Sequence, residues 1–204
     1  MRPEESALLE ALRRGEEDAF ARLVAEHQPS LRRVARLYVA NAAVADEVVQ
    51  DTWLGVIRGI WAFEGRSSLK TWIFRILVNR ARTRAARESR SPGLAGTLST
   101  EFITESESSG SSDLGPRAQP AMDAESSPER SLLTSELREK LGTAIDALPA
   151  NLRTVLWLRD VEGWSSEEVC NALAIQETNQ RGTLHRARSR VRAALEPYLE
   201  GQRH

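Results

Sequence analysis

The stretch GWSSEEVCNALAIQETNQRGTLHRARSRVRAAL, residues 163–195, decides the fold of the C-terminal half of the chain. It opens with Ser165 and, three residues later, Glu168, which is the capping-box pattern that begins a helix. After a short break, apolar residues return at helical spacing from about Glu177 to Leu195. A short helix, a tight turn and a second helix are the layout of a helix-turn-helix.

The second of these helices is strongly basic. Five arginines lie between residues 181 and 192, and no acidic residue lies among them. Such a face repels itself unless it meets a polyanion, so we expect it to enter the major groove of DNA. A solvated basic face is the alternative, because arginine is common on ordinary protein surfaces.

Apolar residues recur at helical spacing through most of the remaining chain. The groups at 20–27, 31–39, 44–60 and 72–77 predict four further helices, and periodicity resumes from residue 132 to residue 199. No alternating apolar run bounded by turn residues argues for a strand. We therefore predict an all-α protein.

Residues 91–130 have a different composition. These forty residues include nine Ser, four Gly and four Pro, with seven acidic and two basic side chains. Too few apolar groups are present to offset the entropy of ordering the segment, so we expect a flexible, acidic linker that acts as a tether. The prediction is two small helical domains, 1–90 and 131–204, joined by that linker.

The overall composition excludes several classes of protein. One cysteine, Cys170, cannot form an internal disulfide framework or a cysteine-based zinc site. Three scattered histidines and no Gly-rich phosphate loop give no basis for an enzyme active site, a metal site or a cofactor. No apolar run resembles a signal peptide or a membrane-spanning helix, so we expect a cytosolic protein.

Residues 45–63 predict a helix with an acidic surface, because no basic residue occurs in this segment before Arg58. Such a surface suits a basic protein partner, although a merely solubilising face is equally consistent with the pattern. The residues on its connected faces are Asp46, Glu47, Gln50, Asp51 and Leu54.

Residues 63–90 combine a polar loop with a basic helix. In the loop EGRSSLK, residues 64–70, a glycine permits a sharp turn and small hydroxyls can hydrogen-bond a base. Trp61 and Trp72 flank the loop, and aromatic plus basic groups around a polar loop suit the capture of unstacked single-stranded bases. Both tryptophans could instead be core residues.

The helix after this loop carries an amide between two guanidinium groups. Arg75, Asn79 and Arg82 share one face at helical spacing, so an amide could read a base edge while arginines hold phosphates.

Two long segments resemble the bacterial sigma factors. ADEVVQDTWLGVIRGIWAFEGRSSLKTWIFRILVNRAR, residues 45–82, resembles their second region. ALPANLRTVLWLRDVEGWSSEEVCNALAI, residues 147–175, together with LHRARSRVR, residues 184–192, resembles their fourth region. With no large domain between the two, the chain is similar to the compact extracytoplasmic-function (ECF) group, over roughly 15–90 and 135–199.

The resemblance implies a role for each surface. The acidic helix would dock on the coiled coil of the large clamp subunit of core RNA polymerase, through Asp46, Glu47, Gln50, Asp51 and Leu54. The −10 element would be recognised and melted, with one flipped base held, by Gly65, Arg66, Ser67, Ser68, Lys70, Trp72, Arg75, Asn79 and Arg82. The duplex −35 element would be read by Thr178, Asn179, Gln180, Arg181, Thr183, His185, Arg186, Arg188 and Arg192. Members of this group commonly have an anti-sigma factor as a further partner.

The entry into the basic helix departs from the family pattern. Where the family has a Ser cap and a Gly-Thr-Val-Lys-Ser-Arg-like run, this chain has QETNQRGT, residues 176–183. Gly182 inside a helix costs about 1 kcal/mol relative to Ala. Asn179 and Gln180 add amides that can pair with adenine edges, so the −35 preference is expected to differ from that of typical members.

One alternative function stays open on the sequence alone. A stand-alone helix-turn-helix regulator would explain residues 163–195, but it would not explain the acidic helix or the EGRSSLK loop.

Overall fold

The computed structural model describes residues 3–90 and 128–201, and within these ranges it contains helices and no strand. This confirms the all-α prediction. Nearly all of the predicted linker, residues 91–130, lies outside the described residues. None of the described helices is both long enough and apolar enough to cross a membrane. The helices are α1 (Pro3–Arg13), α2 (Glu17–Arg36), α3 (Ala42–Gly59), α4 (Leu69–Arg90), α5 (Pro128–Asp146), α6 (Ala150–Leu156), α7 (Ser166–Leu173) and α8 (Glu177–Gly201).

Helix α2 is one continuous helix where the sequence pattern predicted two. Pro29 lies inside it and removes one backbone donor. The buried face nevertheless runs through the proline from Leu23 and His27 to Leu31 and Val34. Burial of that face outweighs the lost hydrogen bond, because each buried aliphatic side chain contributes about 1.5–3 kcal/mol.

Helices α2, α3 and α4 pack together as the N-terminal half. Their core contains side chains with no more than 1% exposure, including Leu23, Val49, Ile73 and Leu77. A single-turn 3-10 helix, Ile60–Ala62, follows α3 and leads into the loop before α4. The loop therefore runs from the 3-10 helix to the first residue of α4.

The last two helices of the C-terminal half, α7 and α8, form a helix-turn-helix. Ser165 accepts a hydrogen bond from the backbone N–H of Glu168, whose carboxylate in turn accepts from the Ser165 N–H, so the predicted capping box is confirmed. Helix α7 ends at Leu173, and the next residue, Ala174, has a left-handed conformation with φ 55°. The chain turns there and α8 begins at Glu177, as the sequence pattern predicts.

The two halves contact one another through an aromatic core. The Trp164 ring, 1% exposed, packs edge-on against Phe74 of α4, with centroids 4.7 Å apart and planes at 72°. The Lys70 ammonium lies 4.2 Å from the centroid of the same ring. Buried side chains from both halves therefore form one continuous hydrophobic cluster.

Polar contacts surround this aromatic core. Arg153 Nη2 donates to the Leu37 carbonyl at 2.8 Å, and Arg82 Nη1 approaches the Leu173 carbonyl at 3.5 Å. Each half thus sends one guanidinium group to a backbone acceptor of the other half.

Candidate nucleic-acid and polymerase interface

The acidic surface of α3 is partly neutralised by arginines of its own chain. Asp46 accepts two hydrogen bonds of 2.7 Å from Arg32, and this guanidinium holds the pKa of the Asp46 carboxyl below its usual value. Glu47 lies 2.9 Å from Arg84 of α4. Gln50 and Asp51 are exposed, and Asp51 forms no ion pair with any described residue. Asp51 is therefore the acidic group of this surface that is most available to a partner.

An exposed apolar stripe continues the acidic surface toward the loop. Leu54, Ile57 and Trp61 are 48%, 50% and 69% exposed, and their spacing places them along one side of α3 and the turn after it. Sequence reasoning included Leu54 but missed Ile57, and it assigned Trp61 to base capture or to the core rather than to this surface; at 69% exposure Trp61 is not a core residue. The sequence itself pointed to these residues. Large apolar side chains beside an acidic, partner-facing surface are typical of the centre of an interface.

An open groove between α3 and α4 connects two of the predicted sites. Glu47 and Asp51 line one wall, while Asn79, Arg80 and Arg84 line the other. The predicted −10 residue Asn79 therefore lies beside the predicted polymerase-binding carboxylates.

The loop 64–68 is a compact turn before α4. Gly65 has φ 71°, a conformation that favours glycine. Arg66 forms an ion pair with Glu64 next to it, so both side chains stay at the exposed rim. Ser68 Oγ accepts from the Thr71 N–H at 3.2 Å and caps α4, which commits that hydroxyl to the fold.

Trp72 is half-buried beneath the loop. Its ring packs on Phe63 with centroids 5.0 Å apart, and an added Cβ at Gly59 would lie 3.1 Å from it. The two flanking tryptophans therefore differ, since Trp72 supports the loop and Trp61 is exposed.

The predicted −10 face of α4 is divided. Arg75 and Asn79 are exposed, whereas Arg82 is half-buried against the C-terminal half and Lys70 lies over Trp164. In this conformation, two of the predicted DNA-binding cations already contact the C-terminal half.

Two residues predicted to read the −35 element are buried instead. Gln180 is 1% exposed and its Oε1 accepts from Ser166 Oγ at 3.0 Å. Thr183 is 2% exposed and donates to Asn179 Oδ1 at 3.1 Å. Both side chains face the packed side of α8, so they cannot reach a base edge from this position. Gln180 contacts α7 and helps to fix the angle between α7 and α8.

The other predicted −35 residues share the exposed face of α8. Two of the arginines are paired with acidic groups outside the basic run. Arg181 lies 2.6 Å from Glu177, and Arg188 donates to Asp160 at 2.9 and 2.6 Å, which raises the pKa of Arg188. Sequence reasoning missed Asp160, because it lies 28 residues away from its partner. The exposed members are Thr178, Asn179, Arg181, His185, Arg186, Arg188 and Arg192.

The described residues contain no cluster of three or more potential metal-ligating side chains. Cys170 is a free, partly buried thiol whose pKa is raised by burial. His27 is buried in α2, where burial lowers the pKa of its imidazole.

Two family models match the two halves that contain these surfaces. The model described as Sigma-70 region 2 matches residues 23–91, and the model described as Sigma-70, region 4 matches residues 138–191. Together they account for more than half of the chain. The chain therefore belongs to the sigma-70 family.

Relatives of matching length extend this similarity over nearly the whole chain. It is 28% identical over 198 residues to the RNA polymerase sigma-H factor of Pseudomonas aeruginosa, covering 96% of both chains. It is 28% identical over 195 residues to the ECF RNA polymerase sigma-E factor of Haemophilus influenzae, covering 96% of this chain and 97% of the relative. It is 29% identical over 195 residues to the ECF RNA polymerase sigma-E factor of Escherichia coli K12, covering 96% of both.

Two solved structures share the fold. One is CnrH in complex with the cytosolic domain of CnrY, with a TM-score of 0.60, 22% identity and coverage of 95% of this chain and 97% of that chain. The other is the sigma factor RpoE in complex with the anti-sigma factor NepR from Bartonella quintana, with a TM-score of 0.59, 23% identity and coverage of 87% and 96%.

Proposed function

We propose that this protein is an ECF-type sigma factor that binds core RNA polymerase and directs transcription initiation at promoters with −35 and −10 elements. The observation that carries the proposal is the presence of two different exposed surfaces in one chain. One is acidic and apolar, on α3, and the other is rich in arginine, on α8. They lie in the segments that match sigma-70 regions 2 and 4.

The polymerase-binding surface is the exposed part of α3. Asp51 supplies charge, and Leu54, Ile57 and Trp61 supply apolar area that becomes buried on docking. Such a combination suits a partner whose basic groups surround an apolar ridge, as complementary charge guides the encounter while the buried centre contributes most of the affinity.

The −10 surface is the loop 64–68 with the exposed part of α4. The loop offers backbone groups and the Ser67 hydroxyl to an unstacked base, and Arg75 can neutralise a phosphate. Flipping a base out of a duplex costs a few kcal/mol, which contacts made by the polymerase and by this loop offset.

The −35 surface is the exposed face of α8. Asn179 retains an exposed amide that can pair with a base edge, and the exposed guanidinium groups of Arg181, Arg186 and Arg192 can neutralise phosphates. One chain that contacts both promoter elements gains affinity through effective concentration, so neither site needs to bind tightly alone.

The remaining assignments follow from this function. The protein acts in the cytoplasm, where the polymerase and the promoter are found. Catalysis belongs to the polymerase, and the chain requires no metal or cofactor of its own. CnrH and RpoE were solved in complex with CnrY and with the anti-sigma factor NepR, which supports an anti-sigma partner for this chain as well.

The first test is co-elution with purified bacterial core RNA polymerase on a sizing column. Stoichiometric co-elution is expected for the wild type and for Glu139→Arg, which makes the same charge change on exposed α5. Co-elution should be lost for Asp51→Arg. Failure of the wild type to co-elute, with duplex DNA binding retained, would instead support a stand-alone helix-turn-helix regulator.

A further inference from the structure

Helix α1 contacts the segment before α4 at both of its ends. At the first end, Arg13 Nη2 donates to the Phe63 carbonyl at 2.7 Å and Arg13 Nε to the Ile60 carbonyl at 3.5 Å. At the second end, the backbone N–H of Leu69 donates to Glu5 Oε1 at 2.5 Å. One helix near the N-terminus therefore holds both sides of the loop 64–68.

The spacing of these two side chains matches a helix laid along the loop. Eight residues of α-helix rise about 12 Å, which separates Glu5 from Arg13 along the axis of α1. Leu9 and Leu12 lie between them and are 4% and 9% exposed. Apolar burial thus fixes α1 in place, and the two charged groups near its ends bond to the backbone just before and just after the loop.

The Glu5 contact completes a helix cap. Leu69 is the first residue of α4, so its N–H has no acceptor within the helix. The Ser68 hydroxyl is already bonded to the Thr71 N–H. A carboxylate at this position supplies the missing acceptor and also interacts favourably with the positive end of the helix dipole. The acceptor comes from 64 residues away, so the cap ties α1 to α4.

We propose that Glu5 and Arg13 are positioning residues for the −10 loop, an inference that rests on the proposed function of residues 64–68. When both ends of the loop are already fixed in the free protein, the loop loses less conformational entropy on binding DNA, and binding is correspondingly tighter. Both residues precede residue 23, where the match to Sigma-70 region 2 begins. They contact backbone atoms on either side of the loop, at Ile60, Phe63 and Leu69, and contact no residue of the loop itself.

The test uses the holoenzyme formed with core RNA polymerase. A pool of short, randomised single-stranded DNA is first selected against the wild-type holoenzyme, and an enriched oligonucleotide becomes the probe. Glu5→Ala should weaken probe binding about fivefold, the effect of losing one helix cap. Glu5→Gln should recover most of that loss, because its amide oxygen can still accept from Leu69. Glu10→Ala is the matched control, since it removes an exposed carboxylate from the same helix.

Polymerase affinity separates positioning from a general loss of structure. For Glu5→Ala we expect the affinity for core RNA polymerase to stay within twofold of the wild type, while the affinity for the probe falls. Selecting the randomised pool again with this variant should give weaker base preferences. Glu5→Asp keeps the charge but shortens the side chain by one methylene, so it should also weaken probe binding. Unchanged probe affinity and base preference in Glu5→Ala would overturn the inference, and so would an equal fall in polymerase affinity. If the wild type enriches no sequence, the proposed −10 function fails and this inference fails with it.

Discussion

Trp164 is the side chain whose removal should most affect stability. It is 1% exposed, packs edge-on against Phe74 and lies beneath the Lys70 ammonium. Truncating a buried tryptophan or phenylalanine to alanine typically costs about 3–5 kcal/mol. The edge-on aromatic pair alone contributes about 0.5–1.5 kcal/mol beyond area burial, so we expect Trp164→Ala to lie toward the upper part of that range.

The assay is urea and thermal unfolding of the purified protein. For a chain of this size, 1 kcal/mol corresponds to roughly 2–4 °C in Tm, so the expected decrease in Tm is about 8–20 °C. Trp61→Ala is the matched control, because Trp61 is 69% exposed and its loss should cost no more than about 0.5 kcal/mol.

A double-mutant cycle tests the contact between the halves directly. Phe74 and Trp164 should couple by at least about 0.5 kcal/mol in the free energy of unfolding, since they share one ring contact. A Trp164→Ala cost below about 1 kcal/mol, or no coupling with Phe74, would show that the two halves do not pack in this way in solution.

Further outcomes are expected at four other residues. Ser165→Ala should lower the free energy of unfolding by about 1 kcal/mol in urea titrations, because the N–H of Glu168 loses its acceptor; no change would remove the capping box from the stabilising contacts. Burial lowers the pKa of His27 below its ordinary value of 6.5, so protonation favours the unfolded state. His27 should therefore have no effect on the pH dependence of the free energy of unfolding above pH 6.5, and its protonation should lower that free energy as pH falls below 6.5. His27→Gln should flatten this dependence in urea midpoints measured from pH 5 to 8. Arg188→Ala should weaken binding to duplex promoter DNA and reduce the slope of log affinity against log salt concentration by about 0.9. An unchanged slope would show that this arginine contacts no phosphate. Asp160→Asn should strengthen the same binding, because Arg188 loses the carboxylate that it pairs with inside the protein.

Sequence reasoning worked best where structure depends on local pattern. The capping box at Ser165 and the start of α8 at Glu177 involve residues within one or two turns of each other, so spacing alone identified them. The acidic character of α3 was also readable, since it depends only on which residue types occur along one helix.

It failed where a residue's role depends on what packs against it. Helical spacing could not show that Gln180 and Thr183 face the packed side of α8, because the buried stripe and the exposed face of that helix are adjacent. The apolar groups at 20–27 and 31–39 were read as two helices, yet tertiary burial joins them into the single helix α2 through Pro29. Contacts between distant segments, such as Asp160 with Arg188 and Glu5 with Leu69, leave no local pattern to find.

The choice of acceptors between the two halves has an evolutionary consequence. Arg82 and Arg153 each reach a backbone carbonyl, at Leu173 and Leu37 respectively. A carbonyl oxygen is present whichever amino acid occupies a position, so substitutions at 37 and 173 that still pack keep the acceptor. Loss of either arginine removes its donor outright. Selection on these two contacts should therefore act unequally across this interface: the buried leucines can change to other side chains that pack, whereas the two arginines cannot be replaced without losing the donor.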